Sequence, residues 1–315
     1  MRRLLVLIGL VSLSAASCGG TGGDTLRIYT SVTQDTVEAV VEGYREAHPG
    51  VEVEVFRAPT GELTARIAAE QREGGLRADV LWLSDPLSME QYDADGLLLA
   101  WEPAGAGDLD PGFRTPTWWG TRVLTMVVVH GLDVPAPADW WDLASGDYAG
   151  VALPDPGFAG SALGALGYFT LDPGYGIAFY EALAAAGATQ VSSPGDVVAG
   201  VAEGRFAAGM TLESPARDAI EKGSPIAVAR PAPGAIGIAS PIAVVAGSEA
   251  GEAARWFVEH VLTIEAQEAI AATGWRPVRD EVAWDRSGGL VLPDWERIVE
   301  GRDRLLDTYS VVFGG

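Results

Sequence analysis

Thr60-Gly61 and Gly160-Ser161-Ala162 each stand at the predicted start of a helix. The first turn of a helix carries unpaired N–H groups and a partial positive charge. With short hydroxyls beside them, such starts bind a phosphate-like oxyanion without a buried counter-charge. The same residue types also serve as ordinary helix caps or turn residues, and the sequence leaves both uses open. Covalent catalysis has less to stand on, because it needs a nucleophile with a base or a metal cluster. The pattern Gly-x-Ser-x-Gly does not occur. The segment from Gly157 to Gly164 holds Ser161, but no histidine spacing places a base beside it. His48, His130 and His260 lie apart from any acidic set and are expected at the surface or in packing. No catalytic residue, metal site or cofactor is therefore expected. A hydrolase is the enzyme reading that stays open.

Cys18 is the single cysteine. Met1-Arg2-Arg3, an apolar run over 4–13 and the small residues Ser14-Ala15-Ala16-Ser17 precede it. That is the layout of a secretory signal over residues 1–17, too short to span a bilayer as a stable helix. The sulfur at the cut point resembles a bacterial lipoprotein signal, in which the new N-terminal cysteine is acylated. Residues 18–24 hold four glycines and read as a flexible tether. The expected location is outside the cytoplasm, held to a membrane by lipid on Cys18. The rest of the 315-residue chain is long enough for two ordinary domains or one large one. Without a second cysteine, stability must come from packing. Forty-three acidic residues face 21 basic ones, a net charge of −22, which loss of Arg2 and Arg3 takes to −24. A chain so acidic is a poor partner for nucleic acid. The spread of charge predicts a solvated surface and a monomer.

The elements that must position these residues follow from periodicity. Residues 26–29 alternate as a strand, and Val37, Val40, Val41 and Tyr44 fall at helical spacing within 34–47. Val51 to Val55 alternates strictly, a helix follows over 61–73, and Ala78 to Leu83 reads as a buried parallel strand. Val123 to Val129 is a continuous apolar run, and Trp140 to Leu143 is a short helix. Val151 to Leu153, Phe206 to Met210 and Ile242 to Ala246 read as strands. Helices are predicted at 161–169, 175–187, 194–203, 249–273 and 293–309. Strand and helix alternate throughout, which argues an α/β layout with a parallel sheet.

The order of these segments resembles the extracellular solute-binding proteins of ABC importers, specifically the group with ferric-ion-binding and phosphonate-binding members. The resemblance spans about residues 25–285. It is carried by Leu26-Arg27-Ile28-Tyr29-Thr30-Ser31, by Gly61 to Ile67, by Ala78-Asp79-Val80-Leu81-Trp82, and by Gly96-Leu97-Leu98. Ala207 to Gly223 and Ala253 to Gln267 complete it. It implies a two-lobed periplasmic-binding-protein fold of type II, each lobe a sheet flanked by helices. Two crossover strands near Val123–Val129 and Ser240–Val245 would join the lobes. Lobe one would be 25–121 plus 246–315, and lobe two 122–245 with the hinge. A small solute would bind between them and pass to a membrane permease. A lipoprotein that senses its ligand without transport would share this fold.

Carried over position by position, the histidine of ferric members is Thr33 here and the glutamate is Ser84. The tyrosine pair is Glu213-Ser214, and Gly160-Ser161-Ala162 matches the segment that holds an anion. The resemblance thus implies a pocket of Ser31, Thr33, Thr60, Gly61, Trp82, Ser84, Gly160, Ser161, Ala162, Glu213 and Ser214. Neutral hydroxyls in place of iron ligands favour a phosphate- or phosphonate-type anion over Fe(III) or another cation. Glu213 either pairs with a ligand amine, as an aminoalkylphosphonate would supply, or turns to solvent or to Arg217 four residues on. Trp82 is the first aromatic expected in the cleft, with Trp118, Trp119 and Trp275 behind it. Trp140 and Trp141 are expected in the packing of lobe two.

Overall fold

The computed structural model describes residues 25–286, 289–295, 298 and 302–314. Cys18, the leader and the tether lie outside the described residues. Three βα units open the fold. These are β1 (Thr25–Thr30) with α1 (Gln34–Ala47), β2 (Glu52–Arg57) with α2 (Thr60–Glu73), and β3 (Val80–Trp82) with α3 (Pro86–Ala94). β1 pairs in parallel with β2 and β3, from Thr25↔Glu52 and from Ile28↔Val80. α1 buries the stripe Val37, Val40, Val41 and Tyr44, as its spacing requires.

β4 (Trp119–Gly131) is the longest strand and is buried along nearly its whole length. After it come β5 (Val151–Pro154), α4 (Gly160–Leu171), α5 (Ile177–Ala185), β6 (Thr189–Val191), α6 (Pro194–Ala202), β7 (Ala208–Leu212), α7 (Glu213–Glu221) and β8 (Ile226–Ala229). β9 (Ala235–Val244) returns antiparallel to β4, and all ten of its residues are buried. α8 (Gly251–Val261), α9 (Ile264–Ala272), β10 (Arg276–Pro277), β11 (Leu290–Val291) and α10 (Arg302–Phe313) close the chain. The main path of the sheet runs β2-β1-β3-β9-β4-β7-β5-β6.

β4 and β9 are the crossovers between two lobes. Up to Val123, β4 pairs with β10; from Met126 it pairs with β7. β9 pairs with β11 at Ala235 and Ile236, then with β3 from Ile242. β9 therefore changes partner between Ile236 and Ile242, ahead of the expected 240–245.

Two expectations need correction. A single helix over 249–273 is broken in two, because Thr263 caps α9 by accepting from the Ala266 N–H. The chain end does not stay with lobe one. Tyr309 of α10 meets Tyr180 of α5 edge-on at 5.2 Å and accepts from Gln190 Nε2 at 3.1 Å. β11 likewise joins the lobe-two end of β9. The apolar face of α10 finds its cover on α4 and α5, so β11 and α10 stand with lobe two.

Candidate ligand-binding cleft

The loops after β1, β2, β3, β6 and β7 face one another across a cleft of about 1170 Å³. Ligands of open α/β sheets sit in this place, beyond the carboxyl ends of the strands. Of the expected residues, Ser31, Thr33, Thr60, Ser84, Gly160, Ser161, Glu213 and Ser214 line it.

Their hydroxyls fall into two groups. Ser31 donates to Ser84 Oγ at 3.1 Å, and Ser84 donates to the Ser31 carbonyl at 2.9 Å, so both protons tie one loop to the other. Thr273 donates to the Ile270 carbonyl at 2.8 Å. Thr36 must then donate to Thr273, and Thr33 to Thr36, each pair 2.9 Å apart. The hydroxyls of Thr60, Ser161 and Ser214 make no hydrogen bond within the described residues, although Ser161 is only 4% exposed. None of the three is a cap. Thr60 opens α2 behind Pro59, and Ser161 and Ser214 are second residues of α4 and α7, whose cap positions are Ala159 and Leu212. These three helices start without a side-chain cap, and their first turns border the cleft.

Four expected residues have other roles. Trp82 is completely buried, donates to Thr121 Oγ1 at 2.9 Å and packs edge-on against Phe257, so it does not floor the cleft. Gly61 meets lobe two backbone to backbone, since a Cβ there would lie 2.7 Å from the Gly157 carbonyl oxygen. Ala162 faces a small interior void beside Met126, Tyr180 and Tyr309. Glu213 lines the cleft, but its Oε1 accepts from both Arg217 and Arg230. Trp118 and Trp119 are also buried, the first donating to Glu90 Oε1 at 2.8 Å and the second edge-on to Trp101.

Arg122 is the residue the sequence reading missed. It lines the cleft from β4 and is 1% exposed. Its Nε donates to Ser240 Oγ, and its Nη1 to Thr33 and Thr36 Oγ1, each at 3.4 Å. The Trp275 ring, also lining the cleft, covers one face with its centroid 4.3 Å from Cζ. Arg122 forms no ion pair and its Nη2 makes no hydrogen bond among the described residues. Burial pulls its pKa down to about 9, with Asp35 opposing and Arg57 adding to the shift. It remains charged at neutral pH. A buried cation held only by hydroxyls and a ring is costly until an anion joins it.

The histidines take no part. His48 stacks on Trp256 at 5.1 Å, His130 Nδ1 lies 2.9 Å from the Gly131 carbonyl, and His260 Nε2 lies 3.1 Å from the Val40 carbonyl. Burial holds the His260 pKa below its ordinary value. Among the described residues, no three His, Cys, Asp or Glu side chains cluster as metal ligands, and no helix is long and apolar enough to cross a membrane.

Solved structures share the architecture. A substrate-binding protein of an ABC transporter from Agrobacterium tumefaciens is 20% identical, covers 94% of this chain and 96% of its own, and superposes with a TM-score of 0.82. The periplasmic binding protein AfuA from Actinobacillus pleuropneumoniae, with fructose-6-phosphate bound, is 18% identical over 92% of this chain and 99% of its own, with a TM-score of 0.81. Iron-bound HitA from Pseudomonas aeruginosa is 20% identical over 92% and 99%, with a TM-score of 0.78. No curated protein sequence matches the chain. The family described as bacterial extracellular solute-binding protein matches residues 26–276. That match covers both crossovers and the cleft-facing loops after β1, β2, β3, β6 and β7, and with it this chain belongs to the bacterial extracellular solute-binding proteins.

Proposed function

We propose that this protein is the extracytoplasmic solute-binding component of an ABC importer, without chemistry of its own, and that its solute is a phosphate- or phosphonate-type organic anion. Arg122 carries the reading: a charged, buried guanidinium lines the cleft and finds no acid. The uncapped starts of α2, α4 and α7, with the free hydroxyls of Thr60, Ser161 and Ser214, supply the remaining donors an oxyanion needs. The cleft is larger than inorganic phosphate requires, which favours an anion with an organic body. Fructose-6-phosphate in AfuA is a ligand of that kind. Glu213 is engaged by two arginines, so an amine on the ligand is not required. HitA holds iron, but Thr33, Ser84 and Ser214 are poor ligands for a hard trivalent cation. Acylation of Cys18 would keep the protein beside its permease at high local concentration.

Calorimetry with inorganic phosphate, methylphosphonate, 2-aminoethylphosphonate, fructose 6-phosphate and ferric citrate tests the solute. An organic phosphate or phosphonate is expected to bind wild type and to lose about a hundredfold or more in affinity with Arg122→Met. Binding of ferric citrate alone would overturn the anion reading. Mass spectrometry of the membrane fraction checks the lipid on Cys18; an unmodified thiol there removes the anchor.

A further inference from the structure

Arg122 does not belong to one lobe. β4 and β9 pair Gly120 with Pro241 and Arg122 with Ser240, so Thr121 is an extra residue in β4, a bulge opposite an N–H-less proline. Thr121 and Arg122 are neighbours, yet both are buried at 1% exposure or less. Thr121 Oγ1 accepts from Trp82 Nε1 and donates to the Ser240 carbonyl, each at 2.9 Å. Ser240 Oγ donates to the Leu83 carbonyl and accepts from Arg122 Nε. Gln267 Nε2 donates to the Thr121 carbonyl at 2.8 Å, and its Oε1 accepts from the Val278 N–H at 2.9 Å. Both crossover strands are thus stitched together at the residue that carries the charge. With Nε on Ser240, Nη1 on two threonines and a face on Trp275, only the Nη2 edge is left for a ligand.

We propose that Ser240 and Thr121 are positioning residues that hold Arg122 with its Nη2 edge to the cleft, fixing the charge that reads the ligand to the hinge itself. This rests on the anion reading above. A ligand oxyanion then pulls on the two strands that must bend for closure, so occupancy and hinge position are linked without a relay through either lobe. The guanidinium would be pre-oriented, and little side-chain entropy would be lost when the anion arrives.

The test uses Ser240→Ala, Thr121→Val and Thr121→Ser, with fructose 6-phosphate and inorganic phosphate as probes. Two readouts are taken: the dissociation constant by calorimetry and the Arg122 Nε–Hε proton exchange by NMR without ligand, the signal identified by its loss in Arg122→Lys. Ser240→Ala is expected to weaken binding about tenfold and to speed Nε–Hε exchange, because that proton loses its acceptor. Thr121→Val should weaken binding, and Thr121→Ser, which keeps the hydroxyl, should stay near wild type. Unchanged affinity and unchanged exchange in Ser240→Ala, with a lowered Tm alone, would assign both residues to fold stability and overturn the proposal. Wild type that binds neither probe overturns the anion reading, and the positioning role falls with it. Wild type that binds while Arg122→Met binds equally well leaves an anion site elsewhere in the cleft and also overturns it.

Discussion

The hydroxyls divide by what they do, and the division is physical. Ser31 and Ser84 use their protons on each other's loops and Thr33 gives its own to Thr36, whereas the hydroxyls of Thr60, Ser161 and Ser214 make no hydrogen bond within the described residues. Their residue types were readable in the sequence, but which protons are free depends on partners as distant as Thr273. Arg122 was harder to read. Its one trace is a lone base inside the apolar run from Trp118 to Val129, a pattern that also fits a snorkelling surface arginine. The buried charge has a sign that can be checked. Its folded pKa, about 9, lies below the ordinary arginine value, so the charge costs stability at every pH below 9. That cost is relieved as pH rises through the folded pKa, because the native state then loses its proton before the unfolded chain does. Arg122→Met should therefore leave the ligand-free Tm unchanged or higher while anion binding is lost; a lower Tm would assign Arg122 to the fold. Affinity for fructose 6-phosphate, whose phosphate is already mostly dianionic at pH 7, should stay flat between about pH 7 and 8 and decline above about pH 9 as Arg122 deprotonates. Titration calorimetry across that range reads it, and a flat profile to pH 11 would show that Arg122 keeps its proton there.

Among elements, the early βα units were legible because their apolar stripes and strict alternation match helix and strand periods. α8 and α9 were not separated, because alanine, valine and isoleucine keep helical spacing straight across the break. Only the cap at Thr263 divides them. The helix starts were legible as donors, yet not as contact surfaces. Gly61 in α2 and Gly160 in α4 sit where the lobes touch. A Cβ on Gly160 would lie 2.7 Å from Asp85 Oδ2 and 2.9 Å from Thr60 Oγ1. Gly274, at φ +83°, would bring a Cβ 3.1 Å from Ser214 Oγ across the same gap. Gly61→Ala should therefore keep the lobes apart without touching the hinge. Small-angle scattering at saturating ligand is expected to give a larger radius of gyration than wild type, with affinity reduced about tenfold. An unchanged radius and affinity would mean that closure tolerates the methyl group.

For the whole molecule, the α/β class and the two-lobed plan were legible from the order of segments. The destination of the chain end was not. Residues 293–309 read as a helix, and nothing local says which lobe supplies its cover. Long-range packing of Tyr309 on Tyr180 and the Gln190 hydrogen bond assign it. Deleting residues 302–315 should uncover Tyr180, which is 3% exposed in the intact protein. Calorimetry is expected to show lobe two melting first, as a separate lower transition; a single transition at the wild-type Tm would show that α10 adds no stability. The crossing of the chain back to lobe two has a mechanical consequence. Thr25 begins the first lobe and Phe313 lies on the second, so each jaw carries one end of the described chain. Whatever holds the protein ahead of Thr25 steadies one jaw and leaves the other to swing. A donor dye at residue 25 and an acceptor at residue 313 would then read the angle of the bite directly, one molecule at a time.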